Sequence, residues 1–278
     1  MSSGTAYPAE WELDALLADG ASIHVRPIRA ADAAALVAFH SRLSPETVYR
    51  RFFSPHPNLS PDEVGRFTTV DYHDRFALVA LLEDELVAVA RYDRDGPDTA
   101  EVAFVVADVH QGRGIASLLL EQLADAARER GIRRFNADTL AANSAMLGVF
   151  RDAGFEVQSS MSAGVVHIEF PITETAGSRA AGDERERRAE VASMRRLLRP
   201  STIAVIGAGR EAGTIGHELF RNLLAGGFAG TVYPVNRTAR AVAGVHAYPS
   251  VASLPEPIDL AVVVVPAAAA ADVVDECG

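Results

Sequence analysis

Two glycine-rich turns carry the chemistry this chain could do. The first is Gln111-Gly112-Arg113-Gly114-Ile115-Ala116; the apolar run Val105-Val106-Ala107 precedes it and an apolar helix, predicted over 118–130, follows. A strand that stops in such a turn and restarts as a helix aims several backbone N–H groups and a helix N-terminus at one point. That arrangement suits a phosphate or pyrophosphate. The second turn, Gly207-Ala208-Gly209-Arg210-Glu211-Ala212-Gly213-Thr214-Ile215-Gly216, has the same setting. Upstream of the first turn, Glu101 sits among Ala100, Val102, Ala103 and Phe104. An acid in so apolar a strand either works or faces solvent. The eight His residues and Cys277 show no metal-ligand spacing, so no metal is expected.

The elements that position these residues follow from periodicity and caps. A strand is expected over 22–28 and a helix over 30–42. Ser44-Pro45-Glu46 and Ser60-Pro61-Asp62-Glu63 read as helix starts, each a capping Ser followed by Pro. Strands are expected over 76–82, 86–92, 100–107 and 134–139. A short helix over 143–153 closes at Gly154, and a hairpin of 155–157 with 165–170 ends the α/β domain near Thr173. Residues 1–20 read as a loosely packed leader anchored through Trp11, Leu13 and Leu16. Residues 174–199 read as a linker that turns into a charged helix from Glu184 onward. After Pro200, strand 203–206, the second turn, helix 217–225 and strands 231–235 and 260–265 form a parallel βαβ unit. A three-strand parallel sheet leaves an open edge, so a longer polypeptide is expected beyond Gly278. The organisation is thus a leader (1–20), an α/β domain (21–173), a linker (174–199) and a partial Rossmann-like domain (200–278).

Composition narrows the function. The chain has 278 residues and a net charge of −11, which argues against nucleic acid and suits an amine or a lysine-rich protein surface. Its 26 basic residues are all Arg, so it offers no lysine side chain for self-modification. No apolar run is long enough to span a bilayer, and residues 1–11 lack the pattern of a signal peptide. One cysteine fits a reducing cytoplasm.

At residues 21–173 the chain resembles the GCN5-related N-acetyltransferases. Gln111 to Ala116 match that family's acyl-CoA loop; Asn143 and Gly154-Phe155 match its second signature. The resemblance implies a mixed sheet with flanking helices and acetyl-CoA as cosubstrate. Loop amides from Gln111 to Ala116 would bind the pyrophosphate, with Gly112 and Gly114 allowing close approach. Arg113 either adds a charged contact or is a surface arginine. Two strands would splay after the loop, and Val105, Val106 and Ala107 would offer backbone groups to the pantetheine. Asn143 either bonds the pantetheine or caps its helix. In resembling bacterial protein lysine acetyltransferases a Glu at the position of Glu101 is the general base, since a lysine amine of pKa about 10.4 must lose a proton before it attacks a thioester. The alternative is a solvated Glu101. Many relatives carry a Tyr where this chain has Phe150, so no general acid is assigned; Ser144 is the weak substitute. The segment 43–53 also resembles such enzymes, and Tyr49, Phe52 and Phe53 at i, i+3, i+4 are expected in the core. Asp71, His73 and Asp74 are expected as solvated loop residues.

Residues 200–278 resemble the CoA-binding domain of NDP-forming acyl-CoA synthetases. The spacing G-x-G-x-x-x-G and the Asn236 after the second strand argue against NAD. Gly207, Gly209, Gly213, Gly216, Asn236 and Pro266 would line a second CoA site that senses CoA for regulation; the alternative is an empty vestigial scaffold. Together the readings predict a cytoplasmic acetyl-CoA-dependent N-acetyltransferase acting on protein lysines, with acyl-CoA synthetases among its targets. The rivals are acetylation of a small amine and a non-enzymatic CoA sensor.

Overall fold

The computed structural model describes residues 6–277 and divides into two compact units, one ending at Glu190 and the next beginning at Val191. The first unit contains strands β1 (Leu13–Leu16) and β2 (Ser22–Pro27), then helices α1 (Ala33–Ser41), α2 (Pro45–Phe52) and α3 (Pro61–Thr68). Strands β3 (Arg75–Leu82), β4 (Glu85–Arg94) and β5 (Thr99–Val106) follow, and then α4 (Ile115–Glu129), β6 (Arg134–Leu140) and α5 (Ser144–Asp152). Strands β7 (Gln158–Ser162) and β8 (Val165–Pro171) and helix α6 (Ala176–Leu198), which runs past Glu190, complete the sequence. The eight strands form one sheet in the order β1-β2-β3-β4-β5-β6-β8-β7; only β5 and β6 pair in parallel.

Alternation along the strands assigns each side chain to a layer. Phe76, Leu78, Ala100, Val102 and Phe104 pack with Leu119, Leu120 and Leu123 of α4 on one face. Ala77, Val79, Val89 and Val105 pack with Leu36, Phe39 and Val48 of α1 and α2 on the other. β4 is buried on both faces from Leu86 to Tyr92. The helix starts form as the caps dictate: the Ser44 hydroxyl accepts the Thr47 N–H at 3.2 Å, and Ser60 and Glu63 make a reciprocal capping box.

Four expectations change. Residues 13–16 are not a loose leader but an edge strand paired with β2, and Trp11 and Leu17 are buried in the core. The final hairpin uses 158–162 rather than 155–157. Every residue of Gln158–Ser162 is exposed, so no apolar alternation marked it; Ala163 (φ 50°) and Gly164 (φ 83°) form its tight turn. Helix α6 begins at Ala176, well before Glu184, because Thr175 and Ser178 cap it reciprocally. Of the three aromatic residues expected in the core, Tyr49 and Phe53 are exposed and only Phe52 packs against it. Phe53 ends α2 in the left-handed region, φ 56°, which turns it off the helical face.

The second unit places β9 (Thr202–Ile206) between β10 (Thr231–Val235) and β13 (Leu260–Val263) in a parallel sheet. Helix α7 (Ile215–Ala225) joins β9 to β10; a two-residue hairpin, β11 (Ala241–Val242) with β12 (Val245–His246), precedes β13, and α8 (Ala267–Cys277) follows it.

Candidate active site

The site of the first unit is made by a defect in its sheet. β5 pairs with β4 from Ala100 to Val106, yet with β6 only at Thr99, Ala100 and Glu101. Beyond Glu101 the two strands diverge, and the side of β5 facing β6 has no ladder partner. β6 stays paired with β8 over its whole length, so β6 is held open rather than frayed.

A cavity of about 500 Å³ fills this fork. Glu101, Val105, Val106, Gln111, Gly112, Gly114, Ile115, Ala116 and Asn143 all line it. Gly112 (φ 76°) and Gly114 (φ 87°) occupy the left-handed region, which is what a non-glycine residue would resist there. Gly114 is the N-cap of α4 and has no side chain to cap it, and no acidic residue lies in the first turn. The opening amides of α4 are therefore free to meet an anion.

Alternation decides the direction of Glu101. Ala100, Val102 and Phe104 point into the core under α4, which turns Glu101, with Ala103 and Val105, toward α2 and the cavity. Its carboxylate has no ion-pair partner among the described residues.

For Arg113 and Asn143 the structure favours one of the two expected roles, and Ala107 departs from expectation. Arg113 does not line the cavity; its guanidinium binds Asp19 at 2.7 Å and meets His110 at 2.9 Å. Ala107 is buried outside the cavity, its N–H bonded to the Val87 carbonyl at 2.9 Å. The Asn143 carbonyl oxygen caps α5 by accepting the Met146 N–H at 3.3 Å, which leaves its amide NH₂ for a ligand. Phe150 is 2% exposed and packs against Phe104 and Phe170, so this position supplies no proton. Ser144 reaches the cavity. Asp71, His73 and Asp74 organise their own loop, Asp74 pairing with His73 and Arg94.

In the second unit the predicted glycines gather at the C-terminal ends of parallel strands, where open α/β sheets bind ligands. A Cβ on Gly207 would overlap the Val264 carbonyl, and one on Gly216 would overlap that of Gly207. Gly213 needs its φ of 83°, whereas Gly209 has room for a side chain. Asn236 spends its side chain on the scaffold: it donates to the Ala208 carbonyl at 2.9 Å and accepts from Thr238 and Ala239. Pro266 is exposed just after β13.

Comparison with known proteins agrees with both geometries. Residues 44–155 match the model of the Acetyltransferase (GNAT) family, and residues 201–278 match that of a CoA binding domain. The crystal structure of the GNAT domain of S. lividans PAT is 50% identical, with a TM-score of 0.58 over 60% of this chain and 99% of that one. The chain belongs to the GNAT acetyltransferase family. Acetyltransferase Pat of Mycolicibacterium smegmatis is 34% identical over 56% of this chain and 48% of its own length. An ADP-forming acetate–CoA ligase of Archaeoglobus fulgidus is 46% identical to 31% of this chain, over 12% of the ligase. The chain thus spans less than half of either curated relative.

One residue that braces the cavity wall of the GNAT unit escaped the sequence reading. Asp108, in the turn after β5, accepts from the Ser44 N–H at 2.9 Å, the Ser44 hydroxyl at 2.6 Å and the Thr47 hydroxyl at 2.6 Å. Burial alone would raise its carboxyl, but these hydrogen bonds hold it below the ordinary carboxylate value. The Gln111 amide reaches the same Thr47 hydroxyl at 3.3 Å. This network ties α2, a wall of the cavity, to the glycine-rich turn. Its partners lie more than sixty residues apart in sequence, where no local pattern reveals them.

Proposed function

We propose that the GNAT unit transfers an acetyl group from acetyl-CoA to a protein lysine, with Glu101 as general base. The observation that carries this reading is the fork itself: an ionisable carboxylate at the point where two strands part, inside a cavity that ends at an uncapped helix N-terminus. The cavity fits the donor. Glycines without crowding neighbours and the free amides of α4 suit the pyrophosphate, and the unpaired side of β5 suits an amide-bearing arm lying like an added strand.

Acetyl-CoA is a substrate here and supplies an activated thioester. The chain supplies the rest. Glu101 takes the proton from the incoming ammonium, directly or through a water, so that the nitrogen lone pair can form the C–N bond as the C–S bond breaks. Unpaired amides along β5 are the donors available to the carbonyl oxygen as it gains charge. With Phe150 at the usual Tyr position, the thiolate departs unprotonated or takes a proton from water, with Ser144 the weaker donor. The second unit is proposed as a CoA-responsive element, and acyl-CoA synthetases as acceptors, in a cytoplasmic setting; among the described residues no helix is long and apolar enough to cross a membrane.

Mass spectrometry of a lysate incubated with acetyl-CoA, with the wild-type protein or Glu101→Gln, tests the reading. New lysine acetylation with the wild type alone supports it. Fast turnover of free polyamines with none on protein would replace it with a small-amine enzyme.

A further inference from the structure

A pair of arginines beside this cavity is left unused by the reaction just described. Arg51 of α2 and Arg91 of β4 both line a smaller cavity, about 30 Å³, whose other walls are mostly apolar, Phe52, Phe67 and Val89 among them. Arg51 also lines the larger cavity with Glu101, so the two spaces share one wall. Arg91 is only 7% exposed; it donates to the Phe67 carbonyl at 3.0 Å and lies 4.3 Å over the Phe67 ring. Arg51 is half-buried, 5.2 Å from the Phe52 ring centroid. Among the described residues neither guanidinium has a carboxylate at ion-pair distance.

Around Arg91 the balance of charge runs against that of the chain. Arg51, Arg66 and Arg75 all act on Arg91, and the carboxylates whose charge reaches Arg51 are Glu101 and Asp93. Asp93 is already held by Arg75 at 3.0 Å, and Glu101 is the proposed base. Three arginines thus act on Arg91 against one acid, Asp93, in a chain of net charge −11. Burial, and then repulsion from Arg51, pushes the Arg91 guanidinium down to about 10. Buried cations without counter-ions are costly, and an anion set against them offsets that cost. A guanidinium takes a carboxylate through two parallel hydrogen bonds.

We propose that Arg51, backed by Arg91, forms a carboxylate-binding subsite next to Glu101, and that one substrate brings this carboxylate alongside its reacting group. The proposal rests on Glu101 and its cavity being the reaction centre. The carboxylate has two possible bearers: an acidic group near the acceptor amine, or the far end of a dicarboxylic acyl thioester.

The test has one arm for each bearer. In the first, acetyl-CoA is fixed, and kcat/KM is compared for lysine peptides with Asp or Asn beside the lysine, and for free lysine against lysinamide. In the second, Kd is measured by calorimetry for succinyl-CoA against butyryl-CoA, which needs no acceptor. The expected result is a preference of about tenfold or more for the carboxylate member in one arm, in keeping with a charge-assisted hydrogen bond. Arg51→Gln should bring that ratio close to one, and Arg51→Lys should keep part of it. Wild-type ratios near one in both arms, or a ratio unchanged in Arg51→Gln, overturn the subsite. The wild-type ratios decide even if the variant fails to fold. A binding preference without turnover on any lysine leaves the subsite standing and removes the lysine reading instead.

Discussion

Glu101 stands directly across the β4–β5 ladder from Asp93. Two carboxylates so placed repel each other unless one is neutralised, and Arg75 neutralises Asp93 at 3.0 Å. The pairing separates an acid committed to the fold from one left open to the cavity.

Glu101→Gln keeps the shape of the side chain and removes its basicity. The expected loss in kcat is about 10²- to 10⁴-fold, with the Kd for acetyl-CoA unchanged by calorimetry. A variant with near wild-type kcat would return Glu101 to the solvated alternative.

Asp108→Ala unties α2 from the turn after β5. Ser44 and Thr47 lose their shared acceptor, and stability should fall by about 1–3 kcal/mol in urea unfolding. Because Gln111 shares the same Thr47 hydroxyl, KM for acetyl-CoA should rise as well. Lost stability with KM unmoved would confine Asp108 to scaffolding.

Asp32 predicts an acid limit to stability. Burial alone would raise its carboxyl, yet Arg26, with two bonds of 2.8 and 2.7 Å, and the Arg29 N–H hold it below its ordinary 3.8. A carboxyl lowered in the folded state contributes fully above its unfolded pKa and loses that contribution as pH falls through the folded one. Urea midpoints should therefore drop below about pH 4. Asp32→Asn should flatten that drop and cost up to about 3 kcal/mol at pH 7.

The second-unit glycines should differ sharply. Gly207→Ala meets both a backbone carbonyl and a φ of 93°, so it should cost at least about 1–3 kcal/mol in unfolding of that unit. Gly209→Ala, whose methyl would meet only Thr214 Oγ1 at 3.7 Å, should cost about 1 kcal/mol or less. Equal effects would mean that the loop is not held as described.

Where the sequence carried a local physical signal, the structure was readable from it. Ser44 and Ser60 cap where Ser-Pro says they should, and the turn from Gln111 to Ala116 needs glycine at Gly112 and Gly114 for its backbone angles. The strand Gln158–Ser162 was invisible because it is exposed on both faces and carries no apolar alternation. Residues 13–16 were obscured by brevity, since four residues give too few alternations to tell a strand from a loop. Asp108 and the Arg51–Arg91 pair were hidden for another reason: their meaning depends on partners brought together only by the sheet. Asn236 shows the limit of motif reading, for its side-chain atoms brace its own loop.

The parting of β5 from β6 after Glu101 leaves the sheet one rung-set short of complete. If the donor lies in that gap as proposed, it would act as a removable ninth strand, and the unit would stiffen as the donor binds. At a hundred times its Kd, such a donor adds about 2.7 kcal/mol of resistance to unfolding. Amide exchange along residues 102–106 would then slow as acyl-CoA is added.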